Sequence, residues 1–485
     1  MPSLKRNAAY NASYSALRLI FPLITYPYIS RIIGPEGVGR VIFAEAVAGY
    51  FCVFALLGLP QYGAREVARA QENPQELKRT FSGLFILSTL LSWSALVVYG
   101  SILFVSPRLA PDYLLFTVFG INIFVNSGKI DWLFNGLEKF GYITIRNLII
   151  RVLSVVMILA IINESHHYVR YALVGIGVTM TTSTLNVAYG IRTIGLKFSN
   201  LQLRKHLRNI VPSAALAYST TIFASIDIIM LGLLLSEGQY FVGLYNTAGR
   251  IIRIALSLVT SVILVTVPRT ALKFSKGDED GFLRVVTKSA SFSLFLGIPA
   301  MLWIFFLAPD MIRLFAGVRF LEAVSSMRIL APEVFVLALT TVMSGQLLYS
   351  RGREKVVLYV TVGAIVLAFA LNLLLIPLTK HDGAAIATMI TRLLVLVVYI
   401  LICWKDLAKI FKNLQIGRIL IANSVLFLFS FTLVRLSADT TVLHRFIAIT
   451  LSSGIIYLAT SVILGIYPSL LLFRILRKLR RGRNS

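Results

Sequence analysis

The stretch YISRIIGPEGVGRVIFAEAV, residues 28–47, decides how this chain must fold. An apolar run enters it from Leu17, and a second leaves it toward Leu59. Between them stand Arg31, Gly34-Pro35-Glu36-Gly37, Gly39 and Arg40, and Glu45 lies alone inside the second run. Gly and Pro supply the backbone angles of a reversal, so residues 31–40 read as a tight outer turn joining two membrane spans. A plain turn accounts for these residues. The alternative is a gating role for Arg31, Gly34, Pro35 and Glu36.

Outward from this corner, the same pattern repeats along the chain. Of its 485 residues 57% are hydrophobic, and the mean hydropathy is +0.81. Runs of about 20 apolar residues are long enough to cross a ~30 Å hydrocarbon core. They do not suit the roughly ten-residue alternating strands of a membrane barrel. The expected fold is an all-α polytopic membrane protein with fourteen spans: 10–33, 41–59, 83–105, 113–134, 142–162, 170–191, 211–234, 244–266, 290–308, 326–349, 356–377, 383–403, 419–436 and 446–467. The first run is too long for a cleaved signal and lacks a small-residue cleavage site, so it reads as a retained anchor.

A net charge of +26 raises the question of nucleic acid, and the placement of the charge argues against it. With the N-terminus inside, the cytoplasmic segments hold 31 of the 47 Lys and Arg, six of them in the tail 474–483. That bias is the positive-inside rule, and it places both termini in the cytoplasm. Cys52 and Cys403 fall in spans and read as packing residues. The five histidines read as loop residues without zinc or haem spacing. No GxxxxGK[ST] loop is present, so ATP hydrolysis is not expected, and neither a metal nor a cofactor is called for.

Weak internal similarity divides the chain. Gly39 and Gly243 are 204 residues apart, and each follows a Glu-Gly pair; Pro60 and Pro268, then Glu138-Lys139 and Glu354-Lys355, recur at similar offsets. The expected organisation is a six-helix lobe over 1–205, a second over 206–410, and two additional helices with a basic tail over 411–485. Six spans per half make the repeat parallel, an arrangement that often places the substrate path between halves.

Polar side chains inside spans are costly and mark cavities or partner helices. Asn11, Ser15, Arg18, Pro22 and Thr25 form one helical stripe in span 1. Asn246, Arg250, Arg253, Ser257 and Thr260 do so in span 8, and Asn122, Asn126 and Lys129 in span 4, with Ser127 and Asp131 beside them. Arg392, Asp227 and Glu45 lie in other spans. Arg18, Arg253 and Arg392 are too deep for easy snorkelling, whereas Lys129, Asp131, Arg31 and Arg328 lie near an interface. Substrate contact is expected of Arg18, Arg250, Arg253, Lys129, Arg392, Asn126 and Asn246. Ion coupling is expected of Asp227, Glu45 and Asp131. Intramembrane ion pairing is the structural alternative. A cationic cavity favours an anionic substrate, since guanidinium forks match phosphate oxygens.

Three segments carry a resemblance. These are Tyr28-Ile29-Ser30-Arg31-Ile32-Ile33-Gly34-Pro35-Glu36-Gly37-Val38-Gly39, Leu57-Gly58-Leu59-Pro60-Gln61-Tyr62-Gly63-Ala64-Arg65-Glu66-Val67-Ala68, and Asp131-Trp132-Leu133-Phe134-Asn135-Gly136-Leu137-Glu138. They resemble the signature of O-antigen-type polysaccharide flippases, in the multidrug/oligosaccharidyl-lipid/polysaccharide exporter superfamily. The match is specific over residues 1–150. The resemblance implies two six-helix lobes around a V-shaped cavity, as in the lipid II flippase, and alternating access in the bacterial inner membrane. It implies an oligosaccharide on undecaprenyl diphosphate as substrate, membrane lipid as surroundings, and a polysaccharide polymerase and chain-length regulator as partners. By position, Arg18 with Arg250 or Arg253 would meet the diphosphate. The other readings are a multidrug or small-solute antiporter, which would want acidic cavity residues, and a polymerase or glycosyltransferase, which would want a large outer loop or catalytic domain.

Overall fold

The computed structural model describes residues 4–199, 201–437, 440–466 and 468–469, and the side chains of residues 4–20, 212–217, 220 and 413 lie outside the description. Among the described residues all regular structure is helical. The chain packs as two units, residues 1–243 and 244–485.

The first unit contains α1 (Leu4–Leu56), α2 (Leu59–Ala70), α3 (Pro74–Val105), α4 (Tyr113–Val125), α5 (Asp131–Gly136), α6 (Phe140–Ile161), α7 (Tyr168–Thr193) and α8 (Leu203–Leu234). α9 (Gly238–Ser275) starts in it and continues into the second unit. There follow α10 (Glu279–Phe315), α11 (Ala323–Leu330), α12 (Glu333–Thr341), α13 (Glu354–Ile402), α14 (Trp404–Asn413), α15 (Ile416–Leu436) and α16 (Val442–Ile463).

Length shows that two of these elements cross twice. α1 has 53 residues and would measure about 80 Å if straight, far beyond a ~30 Å core. It breaks at Gly34, with φ 77° and ψ 177°. α13 breaks at Lys380, with φ 57° and ψ −128°. Among the described residues ten helices are long and apolar enough to cross a membrane. With α1 and α13 each counted twice and α7 and α8 added, the described residues contain the fourteen expected spans. Exposed Phe104, Val265, Leu378 and Ile463 belong to the apolar surface that lipid would cover.

The opening stretch is tighter than its sequence suggests. Residues 31–40 are not a ten-residue turn: helix runs to Ile33, one glycine reverses it, and Pro35 starts the next helix. Gly tolerates the positive φ, and Pro lacks the N–H that a first helical turn leaves unpaired. Spans 4 and 10 also depart from single helices. Span 4 is α4, a 3-10 turn over Asn126–Gly128, and α5, so the expected Asn122, Asn126 and Lys129 stripe is broken; Lys129 has φ −73° and ψ 63°. Span 10 is α11, α12 and a π-helix over Val342–Leu348.

Two short amphipathic helices add to the expected spans. α2 follows the second half of α1 through left-handed Leu57 and Gly58, with Pro60 in its first turn. α14 follows α13. In the first unit α2 packs on α5 through glycines. A Cβ on Gly63 would stand 2.8 Å from the Trp132 ring, and one on Gly136 2.7 Å from the Ala64 carbonyl oxygen. Two of the signature segments are thus the two sides of one contact. Trp132, Phe134, Tyr62, Phe81 and Leu84 form the core around it. Burial pushes the His206 imidazole below its ordinary value, and it hydrogen-bonds the Tyr62 hydroxyl at 3.0 Å. His206, His381 and His444 lie in helices rather than loops.

In the second unit α15 and α16 dock on α10 through Phe295, Leu302, Ala422, Leu426 and Tyr457. Asp310 near the end of α10 is 3% exposed and forms an ion pair with Arg445 in the first turn of α16. Removing one partner of such a pair leaves a charge buried without compensation, at about 3 kcal/mol. Asp310→Ala is therefore expected to lower the thermal midpoint of the purified protein by several degrees. The paired Asp310→Leu, Arg445→Leu change is expected to lower it less. A midpoint unchanged in Asp310→Ala would show that the pair does not fasten α16.

Candidate functional site

In the first unit the candidate residues gather along the second half of α1. Asn126 is 3% exposed, and its amide donates to the Cys52 carbonyl at 3.5 Å. Lys129 is half-buried. Glu45 is exposed, and Asp227 is buried on α8 near Tyr50, whose hydroxyl donates to the Ile222 carbonyl at 3.1 Å.

Asp131 has a different setting. Its Oδ1 accepts from Arg146 Nη2 at 3.2 Å and from Asn186 Nδ2 at 3.1 Å. The Arg146 side chain is 4% exposed and lies against Phe134 and Tyr142. The geometry is that of an ion pair fastening α5, α6 and α7. Arg146 and Asn186 escape the sequence reading. Asn186 is detectable as a polar residue inside span 6; Arg146 is masked by its nearness to a basic loop.

In the second unit α9 carries Asn246, Arg250 and Arg253. Arg250 lies twelve residues from the start of the helix and Arg253 fifteen, about 18 and 22 Å along its axis. Asn246 is 6% exposed, while Arg250 is half-buried and Arg253 exposed. A Cβ on Gly249 would stand 2.9 Å from Arg253 Nη1. The guanidinium therefore folds back over the bare backbone one turn earlier. Tyr245 and Thr388 join α9 to the second half of α13 by a 2.9 Å hydroxyl contact. On that half, Arg392 lies 3.4 Å from Glu333 at the start of α12. Glu333 escapes the sequence reading, although a lone acid in apolar span 10 is the natural partner for a lone arginine in span 12. Arg18 has its side chain outside the described residues.

The gating candidates form the corner of the first unit. Gly39 and Gly243 cross there: a Cβ on Gly39 would lie 1.7 Å from the Gln239 carbonyl oxygen, and one on Gly243 2.0 Å from that of Pro35. The two glycines of the internal repeat thus touch through their own helices. Glu36 accepts from Arg40 at 2.7 Å, and Arg40 donates to the buried Asp112 at 2.7 Å. These residues, with Arg108 and Glu237, line a cleft of about 790 Å³. Arg31 is exposed.

Loop residues Glu164, His166 and His167 lie close enough to invite a metal reading. His167 Nδ1 accepts from the Asn163 N–H at 3.4 Å, so its Nε2 carries the proton and faces Glu164. That is a turn closure and not a ligand set.

The family described as polysaccharide biosynthesis protein matches residues 4–272. A protein designated an O-antigen transporter in Escherichia coli is 22% identical over 81% of this chain and 95% of its own length. One designated a low-salt glycan biosynthesis flippase in Haloferax volcanii is 28% identical over 34% of each chain. Among solved structures, the lipid II flippase MurJ in an inward closed conformation superposes with a TM-score of 0.73 at 14% identity, over 96% of this chain and 100% of that one. An inward-facing multidrug resistance MATE family transporter of the MOP superfamily gives 0.63 at 16% identity, over 81% and 95%. At these identities the likeness to solved structures is one of fold.

Proposed function

We propose a function from one premise: the chain belongs to the polysaccharide biosynthesis protein family. It is a multi-pass membrane transporter with the fold of the lipid II flippase and the MATE exporters. Its cargo is an oligosaccharide repeat unit on undecaprenyl diphosphate. It carries this from the cytoplasmic to the periplasmic leaflet of a bacterial inner membrane by alternating access, with both termini in the cytoplasm. Residues 1–205 and 206–410 act as the two lobes, and 411–485 adds two helices and a basic tail. The names of the relatives support a glycan cargo.

The observation that carries the reading is the exposure of Arg253 about 22 Å along α9. Arg253 also lies near the middle of the expected span 244–266, where a guanidinium is costly against lipid, so it faces hydrated space. A diphosphate cannot cross hydrocarbon unaided. A hydrated cationic cavity holds it by charge-assisted hydrogen bonds while the polyprenyl chain stays in lipid. Arg18, Arg250, Arg253, Lys129 and Arg392 supply the charge. Asn126 and Asn246 meet sugar hydroxyls. Asp227 and Glu45 are the groups through which an ion gradient would act, with Asp131 a weaker candidate because Arg146 holds it. The corner of Arg31, Gly34, Pro35 and Glu36 gates the far side. A polymerase and a chain-length regulator would then receive the cargo.

The test is the leaflet location of the lipid-linked unit in cells lacking this chain, read by labelling surface-accessible sugar in spheroplasts. Intact units are expected to accumulate inside and to return outside on complementation. Units that reach the outer leaflet unpolymerised would place the chain after flipping and overturn the reading.

A further inference from the structure

The cations of α10 and α14 lie outside the residues assigned to transport, and they stand beside an apolar slot. Arg284 and Lys288, one turn apart near the start of α10, and Lys409 on α14 line a cavity of about 610 Å³, together with Asp280, Thr287 and Gln415. Arg284, Lys288 and Lys409 are exposed. With Asp280 as the one carboxylate among the lining residues, the formal charge there is positive.

A second cavity, of about 170 Å³, is lined wholly by apolar side chains, among them Val286, Ala290, Ile410, Phe411, Leu414 and Ile416. Neighbours in the chain divide between the two. Val286 lines the slot and Thr287 the basic cavity; Ala290 and Ser291, Ile410 and Lys409, and Ile416 and Gln415 divide in the same way. The same three segments therefore present a cationic chamber and a hydrocarbon-lined slot within a few ångströms of chain. The basic cavity lies on the early turns of α10 and the slot runs along it to Ile298, both against the amphipathic helix α14, whose Trp404 and Phe411 are exposed. Such a helix lies at a membrane interface.

We infer that this is a binding site for an anionic phospholipid, which puts its phosphate between Arg284, Lys288 and Lys409 and one acyl chain in the slot. Charge complementarity selects the headgroup, since Lys and Arg near a membrane surface each attract anionic lipid. The slot selects a chain-bearing ligand over a free anion. A zwitterionic lipid fits the slot but cancels the gain at the headgroup. The site is independent of the transport reading, because none of its residues belongs to the proposed cavity.

The experiment uses the purified full-length chain, delipidated in neutral detergent, and follows its thermal midpoint. Dioleoylphosphatidylglycerol is expected to raise the midpoint saturably, while dioleoylphosphatidylcholine and inorganic phosphate leave it in place. In the Arg284→Gln, Lys288→Gln, Lys409→Gln variant, half of the shift should require at least about ten times more phosphatidylglycerol, as expected for the loss of about 1.4 kcal/mol of binding. Phosphatidylglycerol with brominated chains should also quench wild-type fluorescence more than that of Trp404→Phe, a readout that does not depend on the triple variant. An equal response in the triple variant overturns the proposal. So does an equal shift with inorganic phosphate, which would mark a free-anion site, or displacement of phosphatidylglycerol by equimolar undecaprenyl phosphate, which would mark a station for the polyprenyl carrier.

Discussion

Gly243→Leu and Gly39→Leu are each expected to yield almost no folded, detergent-soluble protein. At Gly243 a Cβ alone would sit 2.0 Å from the Pro35 carbonyl oxygen, and at Gly39 1.7 Å from that of Gln239. Non-bonded carbon and oxygen atoms do not approach this closely, and the atoms in the way are backbone, which cannot rotate aside as a side chain can. Ordinary overpacking of a core costs about 1–3 kcal/mol. Here two helix starts must separate, and Glu36, Arg40 and Asp112 hold their ion pairs beside the same crossing. Even Gly39→Ala should lower the yield sharply. Gly49→Ala is the matched control, because a Cβ there meets nothing within 4 Å, and it should behave as wild type. The measurement is the monodisperse fraction in size-exclusion chromatography of a fluorescent fusion. A normal profile for Gly243→Leu would show that the two helices do not cross this closely.

Arg253→Ala is expected to abolish surface polysaccharide while the protein still inserts at wild-type levels. Arg253 is exposed and folded over Gly249, so its removal opens no core cavity. What disappears is a forked donor for phosphate oxygens. Hydrogen bonds to charged groups contribute about 1.5–3 kcal/mol each, so removing a bidentate donor from the crossing step slows transport by about two orders of magnitude or more. Arg253→Lys should recover part of the activity, because it keeps the charge but not the planar fork. Gly249→Val should give an intermediate reduction by displacing Nη1, without touching charge. Arg18→Ala belongs to the same series. Normal surface polysaccharide in both Arg253→Ala and Arg18→Ala would remove the arginines from the cargo path.

Much of this architecture is written in local chemistry. Fourteen spans follow from apolar length, because a ~30 Å hydrocarbon layer imposes a minimum on every crossing helix. The reversal at Gly34 follows from the order Gly-Pro-Glu, because only glycine takes that φ without strain and proline suits the first helical turn. The depth of Arg250 and Arg253 follows from counting residues along one helix.

The partners do not follow in this way. No spacing within α5 says that Asp131 meets Arg146 and Asn186, or within α13 that Arg392 meets Glu333; such pairs join residues from different helices, and helix-to-helix register is a product of packing. The same holds for the glycines. Gly39 and Gly243 are visible as an echo 204 residues apart, and Gly63 and Gly136 as parts of two signatures. That each faces another backbone or a ring at less than van der Waals distance from a would-be Cβ is decided only when the helices close on one another. The breaks in spans 4 and 10 belong here too. Both spans are apolar enough to be continuous helices, and side chains at the breaks bond to neighbouring helices. Gln346 shows this in the π-helix, donating to Thr266 at 2.7 Å and to Ser289 at 3.0 Å. Sequence by itself determined how many times the chain crosses and which side chains cross with it. Tertiary structure decided which of those charges hold helices together and which stay exposed, because the choice rests on long-range neighbours that no local pattern encodes.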